Sequence, residues 1–460
     1  MNEFNVLFVP VGISNFHMPS ARDLFVRSCA QVRALCPEAV CPEEMLLDLE
    51  MLGNYLEGKQ PDLVIFQNLT FANGAYAAQV ARRFSCPLAV WSLREPALDG
   101  GRLRLNSLTG GFSAGNTFRK FGRRVQFLLG APEEEAVTRI LTTVIRAAKL
   151  VYDLRGLRMA CIGHPPQGFG FGQAVENDLL RTFGVTLESF EARELMDAAR
   201  ACTDEEARDY LEKAGALMTG LDKLPEQNVM DFARLYKAYD DLIWEHGLGA
   251  VASRCWPDFF TVYGTPVCAV LSALNSRLVA AACEVDVFGA LSMYMGIQLT
   301  GEPAFFGDPA SIDEGENTIT FWHCGAGACS LARADTGARV GVQCNRGIGP
   351  TMEFGCRPCE AVTVFRVGQD ENGAFRFFLM RGRALDKPKQ FNGASVVVQA
   401  EPDVRGLVSS AVKAGWEPHF AVIYGDVVRE LTYVGEMLGL PTQYYDGRTC
   451  PGEPAGTTIG

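Results

Sequence analysis

The feature that most constrains the fold is an alternation of short apolar runs with helical segments. In the first third of the chain, apolar runs at residues 4–11, 62–68 and 87–92 are separated by helical stretches beginning near Pro19 and residue 75. This strand–helix–strand rhythm predicts a parallel sheet covered by helices. Ligands of such sheets bind outside the carboxyl ends of the strands, so polar residues there are site candidates.

The rhythm restarts at residues 157–163 and changes near residue 330, where strand-like segments follow one another without a long helix. Such a pattern is typical of an antiparallel barrel or sandwich. We therefore predict an α/β protein with two doubly wound parallel-sheet domains, residues 1–153 and 154–325. A β-rich, barrel-like C-terminal domain, residues 326–460, follows and ends in a helix–strand segment.

Composition narrows the class of protein. The chain has 460 residues, of which 48% are hydrophobic and 21% charged, as in folded globular proteins. Its net charge of -12 argues against a general binder of nucleic acid or of anionic membranes. The N-terminus lacks the pattern of a signal peptide, and no apolar stretch reaches membrane-spanning length. We expect a cytoplasmic protein whose 15 cysteines are reduced.

Two local patterns have competing interpretations. The glycine-rich loop at residues 168–172 resembles a dinucleotide-binding loop, but Gln173 and Val175 stand where that motif needs glycine. A tight turn between strand and helix is the favoured interpretation. The stretch from Arg94 to residue 124 is locally basic. It indicates either a solvated or subunit-contact face, or a wall that binds an anionic substrate.

Four metal-capable side chains stand at the ends of apolar runs. Glu284 follows VAAAC, Asp308 follows AFF, His323 ends TITFW, and His419 precedes the strand at residues 420–424. Two carboxylates with imidazole suit a divalent ion such as Mn²⁺. Each residue also has a structural interpretation: an acid at a helix start, an acid in a turn, a core histidine and a loop histidine. The four together favour a metal site.

These residues carry a resemblance to the L-fucose/L-arabinose isomerase superfamily over nearly the whole chain. CEVDVFGAL, FFGDPASID with WHCG, and EPHFAVIYGD resemble the segments that hold the family's metal carboxylates and histidines. VWSLREPALDGGRLRLNSLTGG resembles the loop that serves a neighbouring subunit's sugar site. With Gly307 before Asp308, the acid's position is like that of fucose isomerases rather than arabinose isomerases.

The resemblance implies a metal-dependent aldose–ketose isomerase that moves a proton between carbon 1 and carbon 2 of an open-chain monosaccharide. It assigns acid and base roles to Glu284 and Asp308, and metal ligation to both together with His419 and His323, with Mn²⁺ as the expected ion. It also implies a homotrimer or homohexamer with shared sites. Expected sugar contacts are His17, Gln67, Trp91, Arg94, Asn106, Arg254 and Trp256. The alternatives are an isomerase of an anionic hexose, such as a sulfonated one, and a non-catalytic sugar-binding or regulatory protein.

Overall fold

The structure is a computed structural model, and it describes residues 3–446. These residues divide into two compact units. The first unit comprises residues 3–153 and Arg429–Gly439, and the second comprises Leu154–Val428 and residues 440–446. The three predicted domain ranges remain predictions, because this division separates two units rather than three.

The strands and helices of the described residues are numbered in chain order. The strands are β1 Val6–Val11, β2 Leu63–Asn68, β3 Leu88–Ser92, β4 Gln126–Leu129, β5 Arg158–Ile162, β6 Thr186–Phe190, β7 Ala250–Ser253, β8 Ala280–Ala282, β9 Ala304–Asp313, β10 Thr318–His323, β11 Val340–Gly341, β12 Thr351–Met352, β13 Phe354–Gly355, β14 Cys359–Gln369, β15 Phe375–Ala384, β16 Ala394–Ala400, β17 Phe420–Ile423 and β18 Thr442–Tyr445. The helices are α1 Met18–Leu35, α2 Leu49–Leu56, α3 Gly74–Arg83, α4 Ser107–Lys120, α5 Glu135–Arg155, α6 Glu176–Phe183, α7 Ala192–Ala201, α8 Asp204–Gly215, α9 Glu226–His246, α10 Cys268–Ser276, α11 Val287–Thr300, α12 Val404–Lys413 and α13 Val428–Leu438.

The first unit contains a parallel sheet in the order β1, β2, β3, β4. Strands β1, β2 and β3 are buried on both faces, as the continuous apolar runs predict. Side chains of α1 and α5 pack on one face of the sheet. Side chains of α2, α3 and α4 pack on the other face. The unit is therefore a helix–sheet–helix sandwich.

The second unit begins with another parallel sheet, in the order β6, β5, β7, β8. Further along the chain, six strands close a barrel in the order β16, β10, β9, β17, β14, β15 and back to β16, with every neighbouring pair antiparallel. The predicted fold class, two parallel-sheet α/β parts followed by a β-rich barrel, is confirmed. The barrel also takes β9 and β10, which precede residue 326.

Helix α11 joins the sheet of the second unit to its barrel. It is apolar all round and almost entirely buried, and it packs against β7 and β8 as well as β14 and β17. A side chain at Gly289 would place its Cβ 2.3 Å from the Phe306 ring, so glycine permits the close approach of α11 to β9. Within residues 3–446, no helix combines the length and the apolar character that a bilayer crossing demands.

Candidate active site

The turn between β8 and α11 holds Glu284 in an uncommon backbone conformation. Glu284 has a φ of 54°, and Val285 after it has a φ of 60°. Positive φ is uncommon for any residue other than glycine and is least favourable for a β-branched one. Each such residue costs on the order of 1–3 kcal/mol and persists only where its surroundings enforce it. A strained turn carrying a buried carboxylate is what a functional site would show.

The hydrogen-bond register of the barrel brings the other three predicted ligands together. In the β9–β10 ladder, Asp308 pairs with Trp322, the residue next to His323. In the β9–β17 ladder, the residue before Asp308 pairs with Phe420, the residue next to His419. The two histidines therefore flank Asp308 from the strands on either side of β9. Side chains more than a hundred residues apart along the chain meet at one end of the barrel.

All four predicted ligands lie in one cluster. His323 Nε2 is 3.3 Å from Glu284 Oε2, and His419 Nε2 is 3.9 Å from the same oxygen. His419 Nε2 is also 3.3 Å from Asp308 Oδ1. Ligands held about 2.1 Å from one ion lie about 3 Å apart, so these spacings fit a shared cation after small side-chain movements. The buried Glu284, His323 and His419 form a group that could hold a metal ion.

Charges inside this cluster shift the pKa values of its members. Burial would raise the pKa of Glu284, but the two neighbouring imidazoles outweigh it and lower that pKa to about 2. Burial would lower the pKa of His419, but hydrogen bonds with Asp286 and Asp308 raise it to about 10. The pKa of His323 is also raised, by Cys324 and Glu284 against the effect of burial. The acids thus attract positive charge, which protons or a divalent cation can supply.

Asp286 orients His419 and was not predicted. Its carboxylate oxygen Oδ2 lies 3.0 Å from His419 Nδ1, and Arg366 donates to the same oxygen at 2.6 Å. The other oxygen accepts the Gly289 N–H and so begins α11. Both members of the Asp286–Arg366 pair are fully buried. A carboxylate behind a histidine fixes its ring and leaves the far nitrogen free for an ion, as in many metal sites.

A second group of ligand atoms shares Glu284 but is chemically different. The sulfur atoms of Cys255 and Cys283 and one Glu284 oxygen lie within 4.8 Å of one another. Burial raises the pKa of the Cys255 thiol to about 11, so it remains protonated at neutral pH. Thiolates select softer ions than carboxylate and imidazole do. The Glu284–His323–His419 group is therefore the better fit for a hard or borderline ion.

Aromatic rings enclose the two histidines. The Phe306 ring lies 4.8 Å from the His419 ring and 5.9 Å from the His323 ring. On another side, the Phe171 ring meets the His419 ring edge-on at 5.2 Å. The site remains open at Asp308, whose side chain is 36% exposed while those of the histidines are 2% exposed. A substrate would therefore approach from the Asp308 side.

The glycine-rich loop is part of this enclosure. A Cβ at Gly172 would lie 2.6 Å from both the Cα and a carboxylate oxygen of Asp286, so only glycine fits there. The loop continues the aromatic wall, because the Phe169 ring lies 5.5 Å from the Phe171 ring and 5.5 Å from the Trp256 ring. This close packing agrees with the interpretation as a tight turn.

Arg254 and Trp256, two predicted sugar contacts, lie in this second unit. Arg254 Nε is paired with Asp258, and its Nη1 donates to the His164 carbonyl at 2.7 Å. Trp256 stands at the outer end of the aromatic wall and is half-buried. Its role as a sugar contact stays a prediction, whereas Arg254 is largely engaged within the fold.

Gln67 and Trp91, two further predicted sugar contacts, are buried in the first unit. Both are 0% exposed at the centre of the first unit's sheet. Gln67 Nε2 donates to Ser28, and the Trp91 indole N–H donates to the Gly130 carbonyl at 3.0 Å. Both residues lie at the carboxyl ends of their strands, but helices cover both faces of the sheet there. Neither side chain is exposed at the surface of this unit, and a sugar contact at either one stays a prediction.

The remaining predicted contacts of the first unit are accessible. His17 and Arg94 line one cavity of about 470 Å³. Arg94 is paired with Glu134 at 3.2 Å. Asn106 has a φ of 54° just before α4, and its side-chain oxygen Oδ1 accepts a hydrogen bond from the Thr109 hydroxyl. Contact of any of these with a sugar remains a prediction.

Much of the basic stretch at residues 94–124 is engaged within the first unit. Arg104 is paired with Asp99 at 2.8 Å, and Arg94 is paired as described. Arg123 donates to two backbone carbonyls, those of Phe84 and Cys86. Acids therefore neutralise the charges of Arg94 and Arg104, whereas the Arg123 guanidinium keeps its charge and is held by the backbone.

Comparisons with known proteins place the chain. No family model matches it. A curated protein of Clostridium sp. (strain MSTE9), named sulfoquinovose isomerase, is 58% identical, with the alignment covering 97% of this chain and 100% of the relative. Proteins of the same name from Priestia aryabhattai and Alkalicoccus urumqiensis are 37% and 36% identical, over 97% and 95% of this chain and 100% and 98% of each relative.

The chain is therefore an enzyme of the aldose–ketose isomerase class, as the sequence predicts. More narrowly, it belongs to the family of the sulfoquinovose isomerases. The alternative of a non-catalytic sugar-binding protein is overturned by this match over the full length. The alternative of an isomerase for an anionic sugar is the one that agrees with the names of the relatives.

Proposed function

We propose that the protein is a metal-dependent isomerase of sulfoquinovose, an aldohexose with a sulfonate on carbon 6, and converts it to the corresponding 2-ketose. Two observations support this proposal. The relatives that match nearly the whole chain share the name sulfoquinovose isomerase, and the second unit contains the buried cluster of Glu284, His323 and His419. The observation that carries the proposal is the position of His419 Nε2, 3.3 Å from Asp308 and 3.9 Å from Glu284.

The reaction needs a base for a carbon-bound proton, an acid for the carbonyl oxygen, and stabilisation of the enediolate charge. Asp308 is the carboxylate on the open side and is placed to carry the proton between carbon 1 and carbon 2. Glu284 is buried and held as an anion, which suits a ligand that also binds the sugar's oxygen side. Acid–base help of this kind is worth about 10²–10⁴-fold in rate.

Glu284, Asp308, His419 and His323 would hold the ion, and Mn²⁺ fits their mixed oxygen and nitrogen donors. When bound, a divalent cation supplies polarisation of the carbonyl and stabilisation of the developing oxyanion. The chain's own residues do the rest. Asp286 fixes the His419 ring, and Phe171 and Phe306 exclude water from the histidine side.

Assembly belongs to the same proposal. His17, Arg94 and Asn106 of one subunit are placed, on the family resemblance, against the sugar site of a neighbouring subunit in a trimer or hexamer. Their accessibility in the first unit supports this role. Sedimentation of the purified enzyme together with its specific activity on dilution tests whether assembly and turnover are linked.

The direct test is turnover. The enzyme, stripped with a chelator and then given Mn²⁺, should convert sulfoquinovose to the ketose, followed by NMR. Asp308→Asn should lose most of this activity, whereas Glu314→Gln should keep it, because Glu314 lies in the turn after the same strand in an exposed ion pair. Full activity of the stripped enzyme, or of Asp308→Asn, would refute the mechanism.

A further inference from the structure

A sulfonated substrate brings a permanent negative charge, so its site needs a cation that is not already neutralised. Two arginines close to the candidate site fail this condition. Arg366 is fully buried and paired with Asp286. Arg254 is paired with Asp258, which lies four residues further along the chain. Neither has a charge to spare for a substrate.

Arg346 differs from both of them. Its guanidinium carbon lies 5.1 Å from the centre of the Trp256 ring and 5.0 Å from that of the Phe260 ring. The residue is exposed, and no carboxylate of residues 3–446 forms an ion pair with it. A guanidinium stacked on aromatic faces keeps its N–H edge free, and that edge matches the paired oxygens of an oxyanion.

The backbone that carries Arg346 is fixed. The side-chain oxygen of Gln343, which is 3% exposed, accepts the N–H groups of Asn345 at 2.9 Å and Arg346 at 2.8 Å. The Gly347 N–H donates to the Gln343 carbonyl and closes the turn. The turn therefore fixes the backbone of Arg346, and the two ring contacts restrict its side chain, so less conformational entropy is lost on binding.

Trp256 connects this cation with the candidate active site. It follows Cys255, whose sulfur lies 3.7 Å from Glu284 Oε1. It also ends the row of rings that runs through Phe169 and Phe171 to His419. An open-chain hexose has its reacting carbons and its carbon-6 sulfonate at opposite ends. A cation on Trp256, the chain neighbour of the Glu284 contact Cys255, is suited to the second of these ends.

We propose that Arg346, stacked on Trp256 and Phe260, binds the sulfonate of the substrate and so sets the preference for a sulfonated over a neutral hexose. This inference rests on the proposed function. It assigns the preference for a sulfonated substrate to a residue of the loop at 343–347. That loop contains none of the site residues predicted from sequence, and it does not belong to the basic stretch of the first unit.

The test compares wild type, Arg346→Gln, Arg346→Lys and, as a matched control, Arg405→Gln. Arg405 is 75% exposed on α12 in a long ion pair with Glu314. Substrates are sulfoquinovose and its desulfonated analogue quinovose, in a buffer free of sulfonates. Arg346→Gln should raise the KM for sulfoquinovose and lower its kcat/KM relative to quinovose by about 10- to 100-fold, the effect of losing a charged hydrogen bond. Arg346→Lys should fall between, because it keeps charge but not the planar donors.

Binding of sulfoquinovose to the metal-loaded enzyme, measured by calorimetry, separates the two proposals. Weaker binding in Arg346→Gln with unchanged binding in Arg405→Gln supports the sulfonate role, whatever the turnover. Equal affinity in Arg346→Gln and wild type overturns it, while wild-type turnover of sulfoquinovose leaves the proposed function standing. A wild-type enzyme that neither binds nor converts sulfoquinovose overturns both proposals.

Discussion

Two places in this molecule were predicted to bind ligand because polar residues follow apolar strands, and they differ in how those residues are used. At the barrel end of the second unit, Glu284, Asp308, His323 and His419 converge with strained backbone and strongly shifted pKa values. In the first unit, the corresponding Gln67 and Trp91 are buried and uncharged, and each donates to a group of its own fold, although Gln67 Oε1 has no hydrogen-bond partner among the described residues. The end of a strand can place a polar side chain where a ligand could bind. The buried charges and the strained backbone are what distinguish the candidate site from the core of the first unit.

The largest effect should come from Glu284→Gln, which removes the buried charge shared by the two histidines. We expect kcat/KM for sulfoquinovose to fall by about 10²–10⁴-fold, because a ligand and an acid–base group are lost together. Steady-state kinetics with saturating Mn²⁺ measures this. Glu302→Gln, an exposed pair with Arg357, is the control. Comparable activity in the two variants would remove Glu284 from the mechanism.

Next in size is Asp286→Asn, which leaves Arg366 with a buried and unpaired charge. We expect the free energy of unfolding to fall by about 3–5 kcal/mol. We also expect Mn²⁺ affinity to fall about 10- to 100-fold, since His419 loses its partner. Asp403→Asn is matched, because Asp403 begins α12 by accepting the Gly406 N–H without such an ion pair. It should change the free energy of unfolding by no more than about 0.5 kcal/mol, because asparagine caps a helix about as well as aspartate. Urea titration measures the free energy of unfolding, and calorimetry measures the Mn²⁺ affinity. Equal losses of both quantities in the two variants would contradict the special role of Asp286.

Metal affinity should rise with pH, because the histidines must lose protons before they can bind the ion. The pKa of His419 is raised to about 10, so this histidine is protonated at pH 7 in the metal-free protein, and the pKa of His323 is raised in the same direction. Binding must release these protons, and affinity therefore rises with pH, by about tenfold per unit for each proton released. Titrations with Mn²⁺ at pH 6, 7 and 8 measure the slope. An affinity independent of pH would exclude the histidines as ligands.

The smallest effect concerns the first unit. Arg94→Gln and Arg139→Gln each break an exposed ion pair and should each change the free energy of unfolding by at most about 1 kcal/mol. If Arg94 serves a neighbouring subunit's site, only its substitution should also raise the KM for sulfoquinovose. Identical KM values in both variants would confine Arg94 to a structural role and sharpen the contrast between the two units.

The four clustered residues could be predicted from sequence because each one lies at the start or the end of an apolar run. The family resemblance then grouped these four residues as metal ligands. It missed Asp286, although an acid two residues after Glu284 at a helix start was a visible cue. Its partners His419 and Arg366 are 133 and 80 residues away, and only the register of the barrel brings them together. Strand-end position also did not reveal that Trp91 is buried, because helices cover both faces of its sheet.

The central claim is that Glu284, Asp308, His323 and His419 hold the catalytic ion. Diffraction from crystals grown with Mn²⁺, recorded at the manganese absorption edge, tests it most directly. We predict a single strong anomalous peak within bonding distance of Glu284, Asp308, His323 and His419. A peak at Cys255 and Cys283 instead, or no bound ion in a preparation that converts sulfoquinovose at full rate, would contradict it.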